Sequence, residues 1–202
     1  MKKILLIGAS GTIGQAIYKE LTTDCDIITV GYSSGDYQVD LGESSSIKNL
    51  YDRVGKVDAV VCAAARGVVF EPIEKMTRQD FITSMQSKLL GQIELVTTGL
   101  NCLEPHVSFT LTTGILNGDP IARGTAAAMV NSGVEAFAYA AALDVAKTQR
   151  INVVSPALLT ESKKKYDGLF PGYDTVPAAT VARAYRKLIF GRQNGHVLRV
   201  GW

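Results

Sequence analysis

The chain is poor in the residues that build metal centres and crosslinks. It has only two histidines, His106 and His196, and three cysteines, Cys25, Cys62 and Cys102, with no metal-like or redox-like spacing. No metal site is expected. The thiols are expected to be reduced and packed as small apolar groups, which suits a cytoplasmic protein. Charge of one sign is also lacking: 21 Lys and Arg stand against 19 Asp and Glu, scattered without a basic tract. Nucleic acid is therefore not an expected partner. No apolar run approaches the roughly 20 residues of a membrane-spanning helix, so no membrane is expected either. The opening MKKILLIGA imitates the basic flank and apolar run of a leader, but the run stops at Gly8, and a leader is not expected.

What is present is a composition 47% hydrophobic over 202 residues. That suffices for a core burying about 70% of the unfolded surface. Nothing in composition divides the chain, so one domain over residues 1–202 is expected. Short β-branched runs recur at Lys3–Ile7, Asp26–Val30, Val57–Cys62, Val107–Thr112, Ile151–Val154 and His196–Val200. Near-continuous apolar character marks strands buried on both faces, and helical patterns between them make the sheet parallel. Ile13, Ala16, Ile17 and Leu21 share one helical face. Further helices are expected from about Ser44, over Arg78–Leu100 and over Thr125–Thr148. The fold class is α/β, a Rossmann-type doubly wound parallel sheet with helices on both faces.

The helix from Thr125, GTAAAMVNSGVEAFAYAAALDVA, is dominated by small residues. High helix propensity accounts for it blandly. A flat surface between subunits accounts for it more sharply, and a homodimer or homotetramer is expected. The stretch ESKKKYDGLFPGYDTVPA breaks the alternation with Pro, Gly and charge, and reads as a lid at about residues 160–178.

Between the first strand and first helix stands Gly8-Ala9-Ser10-Gly11-Thr12-Ile13-Gly14. Gly8 allows a sharp exit, Gly11 lets a pyrophosphate approach the backbone, and Gly14 lets helix and strand pack closely. The helix start adds free amides and a partial positive charge for the anion. Gly8, Ser10, Gly11, Thr12, Ile13 and Gly14 are the expected phosphate cradle, and no Lys-Ser/Thr follows to make a P-loop. The second strand runs into Tyr32, Ser33 and Ser34, where an acidic residue usually accepts from the ribose hydroxyls of NAD. Hydroxyls tolerate a 2′-phosphate that a carboxylate repels, so NADP(H) is favoured over NAD(H), although no Arg completes the usual clamp. Asp40 has two readings, an acceptor for the adenine amino group or a turn cap.

In order along almost the whole chain, these segments resemble the short-chain dehydrogenase/reductase family. GASGTIG is similar to its glycine motif, and VDL, with Asp40 and Leu41, to its adenine contact. DAVVCAAARG, with Ala63, Ala64 and Ala65, resembles the strand ending Asn-Asn-Ala-Gly, and FTLTTG the strand that carries the catalytic Ser. RINVVSPALLTES, with Pro156, Leu159 and Thr160, resembles the segment that holds the nicotinamide end, and GHVLRVGW the closing strand. The resemblance implies NAD(P)-dependent hydride transfer to or from a small carbonyl or alcohol. The family's Ser polarises the substrate oxygen, its Tyr moves the proton, and its Lys lowers the Tyr pKa.

Aligned on Val134 and Phe137, the chain has Ala127 where that Tyr belongs and Asn131 where the Lys belongs. Thr113, with Thr112 as its rival, remains for the Ser. Aligned on Gly91, Lys88 stands at the family's Asn, as though Lys and Asn had been exchanged between two helices. Lys88 either points inward, which is costly without a partner, or snorkels to solvent. The altered set implied is Thr113 on the substrate oxygen, Lys88 for charge and ribose binding, and Asn131 ordering a water or hydroxyl. Lys88, Tyr166, Tyr173 or a water could relay the proton. Arg66 is either an anion ligand or an ordinary surface arginine. The alternative function is a non-catalytic NAD(P)-binding sensor or interaction protein.

Overall fold

The computed structural model describes residues 1–166 and 168–202; Asp167, inside the expected lid, lies outside the described residues. Seven strands form one parallel sheet: β1 (Lys2–Ile7), β2 (Cys25–Gly31), β3 (Tyr37–Gln38), β4 (Ala59–Cys62), β5 (Ser108–Thr112), β6 (Arg150–Pro156) and β9 (Val197–Val200). Their order is β3-β2-β1-β4-β5-β6-β9. Each expected strand is present with its ends shifted by one or two residues. The two-residue β3, and a separate pair β7 (Leu158–Leu159) and β8 (Thr175–Val176), are too short to leave a periodic signal.

The sheet buries a layer on each face, and the period-two alternation along β1 assigns its residues to the two layers. Leu5 and Ile7 join Leu50, Leu95 and Val134 on one side, beneath α2 (Ser44–Val54), α4 (Gly91–Cys102) and α5 (Thr125–Asp144). Ile4 and Leu6 join Ile17, Val181 and Tyr185 on the other, beneath α1 (Thr12–Leu21) and α6 (Ala178–Phe190). This is the doubly wound Rossmann-type arrangement.

Three expectations are corrected. The helix over Arg78–Leu100 is α3 (Arg78–Met85), a π-turn over Gln86–Leu90, and α4. Cys25 and Cys62 are buried, but Cys102 is exposed on the last turn of α4. By length and composition α5 is apolar enough to cross a membrane, yet Val130, Val134 and Ala138 pack into the core beside the sheet. Its other face exposes Ser132, Ala136, Tyr139 and Leu143. The sequence reading also passed over α6. No side chain of its own N-cap, Pro177, caps it; both carboxylate oxygens of Glu161 accept from the Ala178 amide at 3.0 and 3.1 Å.

The strand order reverses between β1 and β4, which opens a crevice at their carboxyl ends. The turn out of β1 is built for close approach. Gly8 has φ +85°, and its amide donates to the Val30 carbonyl at 2.8 Å. A methyl group at Gly14 would sit 2.0 Å from the Gly8 carbonyl oxygen, which is backbone and cannot move aside. Gly14→Ala is therefore expected to cost at least about 1–3 kcal/mol, as overpacking does, with Tm falling ~2–4 °C per kcal/mol. Calorimetry checks this; an unchanged melting temperature would show that α1 can shift away from the turn.

Candidate functional site

Two cavities lie along the carboxyl edge and share Ala65 and Gly67 in their walls. The first, about 510 Å³, runs from the ends of β1 and β2 to the end of β4. Gly8, Ser10, Gly11, Tyr32, Asp40, Leu41, Ala63, Ala64 and Ala65 all line it. Thr12, Ile13 and Gly14 stand behind as the opening of α1, which carries no side-chain cap. Their amides have no intrahelical acceptors, and together with the helix dipole they make an anion site.

Ser33 and Ser34 are exposed outside this lining. Asp40 satisfies one of its readings directly: its Oδ1 accepts from the Gly42 amide at 2.9 Å, making it a turn cap that still faces the cavity. Arg66, read from sequence as a substrate-anion ligand or a surface residue, is exposed; it lies over the Tyr32 ring, 3.5 Å from its centroid, and lines the first cavity. Ser87 of the π-turn donates to the Arg66 carbonyl.

The second cavity, about 480 Å³, brings Lys88, Thr113, Asn131, Pro156 and Leu159 together with the lid residues Lys165 and Tyr166. Thr160 is not in its wall; its hydroxyl donates to Thr175 Oγ1 at 3.0 Å between β7 and β8. Tyr173 is also outside, its hydroxyl 3.1 and 3.2 Å from the carbonyls of Asp119 and Pro120, which removes it from the proton-relay candidates. Thr112 loses its rivalry with Thr113 because its hydroxyl is buried between the Cys62 carbonyl and the Tyr185 hydroxyl. The Thr113 hydroxyl, assigned above to a substrate oxygen, donates to Glu135 Oε1 at 2.9 Å. Its proton is committed, so it meets the cavity as an acceptor.

Lys88 points inward. It sits in the π-turn, a helix distortion that recurs at functional sites, and its half-buried side chain lines the cavity. No ion pair or hydrogen bond holds its Nζ among the described residues. Desolvation by burial lowers its pKa from the usual 10.5 to about 8.

The lysine's backbone is clamped by a buried glutamine that no motif in the sequence singled out. Fully buried Gln92 donates to the Lys88 carbonyl at 2.9 Å and to the Thr112 carbonyl at 3.0 Å, and accepts from the Thr112 amide at 2.9 Å. The π-turn is thereby pinned to the end of β5. Across the cavity Asn131, 2% exposed, donates through Nδ2 to the Gly114 carbonyl at 3.1 Å, which leaves its buried Oδ1 without a partner. A buried acceptor left unpaired is costly, and this one belongs to a residue in the cavity wall.

The crevice as a whole suits an extended dinucleotide. The amide-rich glycine turn can hold its diphosphate, and the two cavities can take its two ends, with the Lys88–Asn131 cavity next to the Pro156 segment.

Residues 15–184 match a family model described as enoyl-(acyl carrier protein) reductase. A short-chain dehydrogenase/reductase of Acremonium sp., ucsE, is 29% identical over 116 residues, which is 56% of this chain and 44% of that protein. The match thus spans less than half the length of this curated relative. The crystal structure of the protein lin1944 from Listeria innocua is 47% identical, with a TM-score of 0.95 over 99% of this chain and 100% of that one. A small-chain dehydrogenase crystallised in complex with NADPH gives a TM-score of 0.86 at 20% identity, over 98% of this chain and 96% of that one. At that identity the likeness concerns the fold.

The inward lysine has a consequence for stability. Below pH 8 folded and unfolded chains both hold the ammonium, and folding carries the full burial penalty. Between 8 and 10.5 the folded chain has released the proton while the unfolded chain keeps it, so the penalty shrinks as pH rises. Lys88→Met is accordingly expected to stabilise the protein most below pH 8 and progressively less toward pH 10.5. Urea unfolding across that range checks it; an equal gain at every pH would mean that the ammonium is fully solvated.

Proposed function

This chain belongs to the short-chain dehydrogenase/reductase family, and from that premise we propose that it is an NADP(H)-dependent oxidoreductase acting on a small carbonyl or alcohol, with Lys88 as its proton donor and acceptor. The observation that carries the reading is Lys88, whose Nζ has no partner among the described residues, in the wall of a cavity it shares with Asn131 and Pro156. The nicotinamide, when bound, supplies or receives the hydride.

Ala127 lines the same cavity where the family's Tyr would stand, and a methyl group moves no proton. The Thr113 hydroxyl is engaged in donating a hydrogen bond to Glu135. Lys88 is left to donate to the substrate oxygen in reduction and to withdraw the proton in oxidation. A pKa of about 8 suits both directions near neutral pH. Asn131 Oδ1 accepts a hydroxyl or ammonium proton brought to the site, and Gln92 holds the lysine's backbone in register with β5. A positioned acid contributes about 10²–10⁴-fold, less than the effective molarity of about 10⁵–10⁸ M that positioning alone can supply. Loss of the usual Tyr is thus compatible with turnover.

Preference for the 2′-phosphate is supported by Arg66. Its guanidinium rests on the Tyr32 ring in the first cavity and supplies the clamp missing after β2. The first carboxylate after β2, Asp36, is occupied by the Thr29 amide and hydroxyl, both at 2.8 Å.

Arg66→Ala is expected to weaken NADPH binding about tenfold or more, the worth of a hydrogen bond to a charged group, with NADH binding little changed. Fluorescence titration with both reduced cofactors checks it, and equal losses for the two would remove Arg66 from the specificity. Lys88→Met is expected to lower kcat by about 10²–10⁴ while NADPH still binds. In the wild type, carbonyl reduction should decline as pH rises through about 8, where the acid is lost. Unchanged turnover in Lys88→Met would exclude the lysine from proton transfer. A folded, NADPH-binding protein inert toward every carbonyl would favour the sensor reading.

A further inference from the structure

The second cavity holds more positive charge than proton transfer needs. Among the described residues that line it, Lys88 and Lys165 are the only charged side chains, and no carboxylate faces it. The remaining wall is largely apolar, with Val68, Phe70, Leu158 and Phe170. Lys165 is carried on a 3-10 stretch, Thr160–Tyr166, that is tied down near its start by the Thr160–Thr175 bond and by Glu161 on the α6 amide. Lys165 itself is exposed at the rim, its Nζ 5.5 Å from the centroid of the Tyr166 ring, and it has no carboxylate partner among the described residues.

We propose that the substrate is a small oxo acid, whose carboxylate is held by Lys165 while its carbonyl oxygen meets Lys88. This rests on the oxidoreductase reading above. A neutral ketone would leave this cation with only water and the Tyr166 ring at the mouth of a largely apolar cavity, whereas a carboxylate would pair with it, and electrostatic complementarity favours the acid. Once Lys88 is committed to the carbonyl oxygen, one cation remains, which matches a single carboxylate.

In the reducing direction the carbonyl carbon gains a C–H bond by hydride from the reduced nicotinamide nucleotide, which becomes the oxidised form. The C=O π pair moves to oxygen, which takes a proton from the Lys88 ammonium. The product is the hydroxy acid, and the neutral amine regains its proton from solvent. The carboxylate takes no part in bonding changes, so Lys165 is a binding residue whose effect falls on substrate choice.

The test compares pyruvate and acetoacetate with their methyl esters as oxidants of NADPH, in the wild type and in Lys165→Gln, Lys165→Glu and Lys165→Arg. The wild type is expected to favour each acid over its ester by at least about tenfold in kcat/KM, one ion-paired hydrogen bond's worth. That ratio should collapse toward unity in Lys165→Gln, invert in Lys165→Glu and persist in Lys165→Arg. An ester used as well as its acid, or a preference that survives Lys165→Gln, overturns the proposal.

If no member of the panel oxidises NADPH, the oxidoreductase reading has failed on these substrates, and binding decides the present inference separately. Oxamate, a carboxylate that is not reduced, should raise the Tm of the NADP-loaded wild type and not that of loaded Lys165→Gln. Absence of a shift in the wild type, or the same shift in both, overturns it.

Discussion

The molecule is organised around a backbone contact that no side chain can enter. A methyl on Gly14 would collide with the Gly8 carbonyl, and one on Gly8 would collide with the backbone of Ala63 and Ala64 just past β4. This contact draws the start of α1 down onto the end of β1, at the point where the strand order reverses. The uncapped amides of α1 then face the crevice instead of solvent. The dinucleotide site of the proposed function depends on that placement: the amides and helix dipole suit a diphosphate, and the neighbouring strand ends wall the cavities on either side.

A second constraint fixes the chemistry at the far end of the crevice. A continuous helix over Arg78–Cys102 would present a different residue to β5. The π-turn over Gln86–Leu90 rotates Lys88 into the cavity, and Gln92 stabilises the distortion by bonding the lysine's carbonyl and both backbone groups of Thr112. An inward ammonium is costly, and its lowered pKa is that cost expressed as proton affinity. In the function proposed above, Ala127 and Asn131 take the places of the family's Tyr and Lys, and the same helix pair carries a cation and an amide in exchanged places. Charge and hydrogen-bonding capacity are retained on opposite walls.

Much of the fold could be read from local pattern. Apolar β-branched runs marked the six longer strands because burial on both faces leaves little choice of residue, and the glycine turn was legible because its steric demands fall within seven consecutive positions. The site was legible in part. Lys88, Asn131 and Thr113 could be singled out by alignment to the family motif, and all three line one cavity. Their states could not be read, since each depends on partners set by the fold: Glu135 accepts a hydrogen bond from Thr113, the Gly114 carbonyl accepts one from Asn131, and no described residue accepts one from Lys88 Nζ. Arg66 looked ordinary because Tyr32 lies on a different strand end. The helix α6 was missed because its cap, Glu161, lies in the lid segment and not beside it.

By itself, then, the sequence determined the six longer strands, the faces of most helices and the glycine turn. Periodicity and glycine spacing act over a few neighbouring residues, and their physics is complete within that span. Only the tertiary structure decided which polar atoms have partners, which way the lysine points and which cations meet in one cavity. Desolvation and hydrogen-bond commitment are set by atoms that the chain brings together from far apart, and no local pattern encodes them.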